Sequence, residues 1–170
     1  MAAVDYFLKI EGIDGESQDH KHKGEINVES FSWGESNSTS SSGGGGGAGK
    51  AVRQDFHFVA QAGKQSPKLM LACATGQHIK GATLTCRKAG GDIPVEFLKI
   101  LLFDALVSSY QIGGTQIGGD ATPRDQFSIN FIKIEMIETS QSATGGPATV
   151  FGGFDFRLNQ VIPPPSPPGG

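Results

Sequence analysis

The chain has 170 residues, 14 basic and 17 acidic, for a formal net charge of −3. At this length one domain is expected, able to hide roughly 70% of its unfolded surface. Lys and Arg nowhere gather into a long run, which disfavours a nucleic-acid partner. No window reaches the roughly 18 uninterrupted apolar residues of a membrane span, the nearest, Phe97 to Val107, being broken by Lys99 and Asp104. With 25 glycines and only 18% charged residues, the composition suits a turn-rich β protein.

Taken in order, the N-terminus MAAVDYFLKIEGIDG lacks the basic region and continuous apolar stretch of a cleaved secretory signal, so synthesis in the cytosol without a leader is expected. Val4, Tyr6, Leu8 and Ile10 alternate as one face of a first strand. In Lys23 to Trp33 the apolar set shifts phase from Ile26 and Val28 to Phe31 and Trp33, which predicts a β-bulge near Glu29 and Ser30. A further strand is expected to carry Val52, Phe56 and Phe58 on one face.

Ser66-Pro67, then Lys68 to Thr75 and Gly76, read as an N-cap, a proline at the first helical position and a terminating glycine. Ala82, Leu84 and Cys86 share a strand face, and the doubly apolar run Val95 to Val107 between Gly-Gly-Asp and Ser-Ser is read as strand. Asp125 to Ile137 repeats the phase shift, and the last strand holds Val150, Phe154, Phe156 and Leu158. About eight short strands and one short flanking helix call for a mainly β fold, a two-sheet β-barrel or sandwich. Residues 1–162 are assigned to that domain and 163–170, with five prolines, to an extended tail.

A low-complexity stretch interrupts the strands: Ser36, Asn37, Ser38, Thr39 and Ser40, then Gly43, Gly44, Gly45, Gly46, Gly47, Gly49 and Lys50. Its end spells G-x-x-x-x-G-K, but Ala51 stands where a phosphate loop needs a Ser or Thr for magnesium, and a strand pattern follows instead of a helix. Nucleotide binding is therefore not expected, and the stretch is read as a long extended loop. His20 and His22 beside Asp19 are read as a solvated turn between Lys21 and Lys23, without a metal. His57 and His78 have no local acid or nucleophile. Cys73 and Cys86, far apart and without a CxxC, are read as plain buried thiols. No cofactor or catalytic group is predicted.

Particular segments resemble the haemolysin-coregulated (Hcp) family of type VI secretion. They are Gly15-Glu16-Ser17 with His22-Lys23-Gly24-Glu25-Ile26, Phe31-Ser32-Trp33-Gly34, Gly49-Lys50, Gln54-Asp55-Phe56 and Ser66-Pro67-Lys68-Leu69-Met70. Arg87-Lys88-Ala89-Gly90, Val107-Ser108-Ser109 and Phe131-Ile132-Lys133-Ile134-Glu135 continue the match in order, so that it runs from about residue 3 to residue 160. The chain departs from the family pattern at Ala62-Gly63, at Met136-Ile137 and in its proline tail.

The resemblance implies a β-barrel with a flanking helix that assembles as a ring of about six copies, closed by a head-to-tail interface. It further implies rings stacked into a tube, small effector proteins in the lumen, a VgrG spike at the tip, contractile sheath and baseplate proteins as partners, and secretion from the bacterial cytoplasm without a cleaved signal. The Ser36 to Lys50 loop would serve contacts between rings or subunits. Two other readings stand beside this one. A monomeric barrel could bind an apolar ligand in its interior, and an enzyme could use His57 or His78, although no motif points to an activity.

Overall fold

Apolar side chains at alternate positions of a strand need a wall opposite them. In the computed structural model of the chain, which describes residues 3–38, 49–89, 94–140, 146 and 148–166, that wall is made by closure. The strands are β1 (Ala3–Ile10), β2 (Ile26–Ser32), β3 (Glu35–Asn37), β4 (Ala51–Arg53), β5 (Phe56–Gln61), β6 (Ile79–Ala89), β7 (Val95–Gly113), β8 (Arg124–Asn130), β9 (Lys133–Ser140), β10 (Ala148–Asp155) and β11 (Gln160–Val161). Helix α1 (Gln65–Thr75) lies between β5 and β6.

One sheet runs β11-β10-β9-β7-β6-β1-β2-β5-β8, and a second pairing of β8 with β7 closes its last six strands into a barrel. β7 makes this possible by being two strands in one. Leu98–Phe103 pair with β9, and Leu106–Gly113 pair with β8. Between the two stretches Asp104 adopts a left-handed φ of 51°, where the strand changes partner. The barrel wall and the β9–β10–β11 extension thus share one continuous strand.

Inside the wall, Leu8, Phe58, Leu84, Val107, Phe127 and Ile129 are fully buried. Rings stack in succession from Phe56 to Phe58 at 4.9 Å and from Phe58 to Phe127 at 5.3 Å between centroids. Burial of each such side chain is worth about 1.5–3 kcal/mol, and offset ring pairs add about 0.5–1.5. Helix α1 contributes Leu69 and Ala72 to the same core and ends at Gly76, whose φ of 64° suits glycine and whose N–H donates to the Ala72 carbonyl.

Several sequence expectations hold. Ala82, Leu84 and Cys86 share a buried face, and the β2 bulge sits between Val28 and Ser30. Others need correction. The second phase shift is no bulge, because Phe131 and Ile132 lead the chain out of the barrel from β8 into β9. The strand that begins at Val95 does not end at Val107 but runs on through Ser108 and Ser109 to Gly113.

Val52 does not share a face with Phe56 and Phe58. It lies in the separate hairpin β3–β4, 58% exposed, because the chain breaks at Gln54 and Asp55. Val150 and Leu158 are likewise exposed, while Phe154 and Phe156 pack inward. The helix begins at Gln65, with Lys64 at the cap and no capping side chain, so Ser66 is not its N-cap and Pro67 stands third.

Candidate functional site

The residues singled out by pattern assemble into fasteners that hold loops and helix to the barrel. At one end Arg87, only 7% exposed on β6, grips Asp19 with two bonds, Nη1 to Oδ1 at 3.1 Å and Nη2 to Oδ2 at 2.7 Å. Its Nη2 also reaches Asp5 Oδ2 at 3.2 Å, and the guanidinium lies 4.8 Å over the Phe7 ring. The hydrogen bond from Arg87 holds the Asp19 carboxyl well below the usual carboxylate range, against the opposing effect of burial, and the same bond raises Arg87. Lys88 places its ammonium 4.7 Å over Phe97.

His22 corrects the reading of a solvated turn. It is 7% exposed, stacks on Phe7 at 4.3 Å, and reaches Glu25 Oε2 at 2.5 Å and Glu96 Oε1 at 2.7 Å. Gly15 lets this loop lie flat on the barrel: its N–H donates to the Gly24 carbonyl, and a Cβ there would come within 2.6 Å of backbone at Glu25 and Ile26. Among the described residues no group of His, Cys, Asp or Glu is placed to hold a metal.

A second fastener surrounds Asp55, just before β5. Ser108 Oγ donates to its Oδ2 and Asn130 Nδ2 to its Oδ1, both at 2.8 Å. The register shift between Val107 and Ser109 brings two successive hydroxyls, of Ser108 and Ser109, onto Ser128 at 2.7 and 2.5 Å. Trp33 and Gly34 form a third, with the indole Nε1 donating to the Gln54 carbonyl and Gln54 N–H to the Gly34 carbonyl, each at 2.9 Å.

The fourth centres on a residue the sequence reading passed over. Asp125 is fully buried on β8; its Oδ1 accepts from the Tyr110 hydroxyl at 2.7 Å, and its Oδ2 from Ser66 Oγ at 2.7 Å and Gln65 Nε2 at 3.0 Å. Burial, with the facing carboxylate, pushes the Tyr110 phenol up to about 12. Ser66 therefore ties the first turn of α1 to the barrel, and Pro67 follows it inside the helix. The available signal was a carboxylate in phase with Phe127 and Ile129 on a core-facing strand.

Of the predicted loop, Ser36 and Asn37 are strand residues, paired with Val52 and Ala51. Asn37 Nδ2 donates to the Gly49 carbonyl at 2.9 Å, and Ser38 and Lys50 are exposed. Thr39, Ser40 and Gly43 to Gly47 lie outside the described residues, as do Gly90 and the last four residues of the tail. His57 is exposed, and His78 makes only a 3.3 Å contact with Asp104. Burial pushes the Cys86 thiol up to about 11, which suits an inert core residue.

The Arg87 clamp predicts an acid signature. A carboxyl whose folded pKa is depressed contributes stability above its unfolded pKa near 3.8, and that contribution is lost as pH falls toward the lower folded value. Arg87→Met should therefore melt below wild type at neutral pH, and the gap should narrow steadily on titration from about pH 5 to about pH 2. Melting curves across that range check it; a constant gap would mean that packing, and not the Asp19 pair, carries the effect.

The comparisons with known proteins agree with this architecture. The family model described as "Type VI secretion system effector, Hcp" matches residues 7–137. Protein hcp1 of Pseudomonas aeruginosa is 45% identical over 162 residues, covering 92% of this chain and 98% of the relative. The crystal structure of Hcp1 from Salmonella typhimurium superposes with a TM-score of 0.77 at 34% identity, over 95% of this chain and 100% of the other. A structure described as a type six secretion system protein gives a TM-score of 0.85 at 27% identity, over 94% and 100%. The chain belongs to the Hcp family of type VI secretion proteins, with a structural and not a catalytic role in tube and effector delivery.

Proposed function

We propose that copies of this chain close into a ring of about six, joined head to tail, and that the rings stack into the inner tube of a type VI secretion machine. Small effector proteins ride in the lumen, a VgrG spike tips the tube, and contraction of the sheath on its baseplate drives tube and cargo outward. The observation that carries this reading is the 45% identity to Protein hcp1 across nearly the whole of both chains. A rigid closed barrel suits a part that must survive expulsion without unfolding.

Export would keep β1 in the folded subunit, because it pairs with both β2 and β6 and its removal would open the barrel. The competing apolar-ligand barrel is disfavoured by an interior already occupied by Phe58, Phe127, Leu84 and Ile129. Native mass spectrometry with negative-stain imaging at micromolar concentration tests the proposal. Rings of about six copies are expected, and a species of only 17.8 kDa would refute them.

A further inference from the structure

A strand at the edge of a sheet exposes unpaired backbone groups, and stable proteins guard such edges with charge, proline, shortness or a cover. β10 is guarded over part of its length only. All of it, Ala148 to Asp155, pairs with β9 on one side, whereas on the other β11 meets Phe154 and Asp155, and Ile162 N–H donates to the Gly153 carbonyl. In an antiparallel ladder each residue directs both its N–H and its C=O to one side, and successive residues alternate. Gly153 faces β11, so Phe151 and Thr149 face the same way, and among the described residues no backbone group bonds theirs. No charge stands on Ala148 to Phe154.

The segment that continues β11 is the chain's own tail. Asp155 pairs with Gln160, Phe154 with Val161, and the Ile162 bond carries the same register on to Gly153. Counting onward sets Gly152 opposite Pro163, Phe151 opposite Pro164, Val150 opposite Pro165 and Thr149 opposite Ser166. Because β11 runs antiparallel to β10, the tail starts at the open stretch and needs only to continue along it. Pro163 to Ser166 are exposed, and among the described residues no hydrogen bond holds them.

The tail suits that place residue by residue. Pro163 and Pro165 would face outward, where a residue without an N–H gives the sheet's new edge no donor to offer a further strand. Pro164 would face inward, and its carbonyl can accept from Phe151 N–H. Ser166, the first residue after Ile162 with an N–H, comes opposite Thr149, where both residues can give and accept a bond. Side chains agree with this pairing. A Cβ on Gly153 would come within 3.0 Å of Ile162 Cβ and 3.1 Å of Phe151 Cζ, so the missing side chain already lets the ring and the start of the tail approach each other. Opposite residues share a face, which puts Pro164 beside the Phe151 ring and Pro165 beside Val150, now 65% exposed. A Cβ on Gly152 would meet nothing, which leaves room for Pro163.

We propose that the tail Pro163–Ser166 folds back along β10 as a strap, closing the sheet edge at Phe151 and Thr149 with the chain's own backbone. Proline's fixed φ lowers the entropy lost on closing, while the small number of bonds lets the strap lift again. Closed, it removes an uncharged template for stray strands. The strap belongs to a single chain and does not depend on the ring.

Residue-resolved amide exchange on the full chain and on a chain lacking Pro163 to Gly170 tests it. The deletion should speed exchange at Phe151 and Thr149 at least about tenfold, and leave Val150 and Gly152, whose amides face β9, as they were. A second variant, V150C/P165C, keeps the tail. Opposite residues of a pair without mutual hydrogen bonds lie about 4.5 Å apart at Cα, within the span of a disulfide. Mild oxidation with oxidised glutathione should therefore join positions 150 and 165 of the same chain, seen by peptide mapping and by an unchanged monomer band on non-reducing electrophoresis. Unchanged protection after deletion overturns the strap, as does a disulfide that forms only between chains or not at all. If the truncated chain fails to fold, the cysteine pair alone decides.

Discussion

Replacing Asp125 by alanine should lower the melting temperature by about 10 °C, although the residue lies away from every segment the sequence marks as a motif. Asp125 is fully buried and accepts three hydrogen bonds, from Tyr110, Ser66 and Gln65. Removing it leaves those donors without their partner. Each orphaned group costs about 1–3 kcal/mol, less where relaxation or water restores a bond, so a total of about 3–5 kcal/mol is expected. For a chain of this size about 2–4 °C accompany each kcal/mol.

The loss should be unevenly distributed. Ser66 and Gln65 belong to the first turn of α1, while Tyr110 sits on β7, so the helix loses its two bonds to β8 and keeps the apolar grip of Leu69 and Ala72 and the Gln65 bond to the Gln61 carbonyl at 2.7 Å. Amide exchange in α1 should accelerate more than in β1 or β6. Asp125→Asn retains one acceptor oxygen and should fall between the two. Circular dichroism melts of the three proteins decide it, and a shift of under about 3 °C for alanine would show that the donors find other acceptors.

The sequence made the barrel wall legible wherever alternation was uninterrupted. Leu8 with Ile10, Ala82 with Leu84 and Cys86, and Phe127 with Ile129 are all core faces readable from period two alone. Pairing was not readable, because partner choice depends on contacts distant in the chain. Nothing in Val95 to Gly113 announces that one strand serves β9 and then β8, since the turning residue, Asp104, is a single polar interruption in an apolar run.

The fasteners were hidden for the same reason: Ser66 meets Asp125 across 59 positions and Arg87 meets Asp19 across 68. Val52 misled because a spacing of four to Phe56 looks in phase for a strand, yet the break at Gln54 and Asp55 rotates it outward. His22 misled because its neighbours Lys21 and Lys23 are polar, while its own ring finds Phe7, Glu25 and Glu96.

Shortening the β3–β4 connection, by replacing residues 38–50 with Asn-Gly, should preserve the folded subunit and its ring and abolish secretion. The hairpin supplies the reason for the cut. Asn37 and Ala51 are its last paired residues, and a two-residue Asn-Gly turn joins antiparallel strands with the twist they already have. Almost nothing apolar is removed, Ala48 being the one nonpolar side chain besides glycine in the replaced stretch. At about 25 cal/mol per buried Å² such a segment adds little to a core. Its length exceeds the two to five residues that suffice for a hairpin, and long connections held on a rigid scaffold more often serve recognition than folding. Glycine-rich chain can adopt backbone angles closed to other residues, which would let the loop conform to an adjoining ring in the proposed stack. Ordering it costs about 1–2 kcal/mol per residue, so in the proposed stack each contact made by this loop would be modest, as would suit a tube that grows by stacking and later comes apart. The shortened and wild-type proteins are compared by melting temperature, by native mass, and by their appearance in the medium of a strain carrying no other copy. Normal export with an intact ring would remove the loop from any role between rings, whereas loss of the ring itself would place it at the contact between neighbours within one ring.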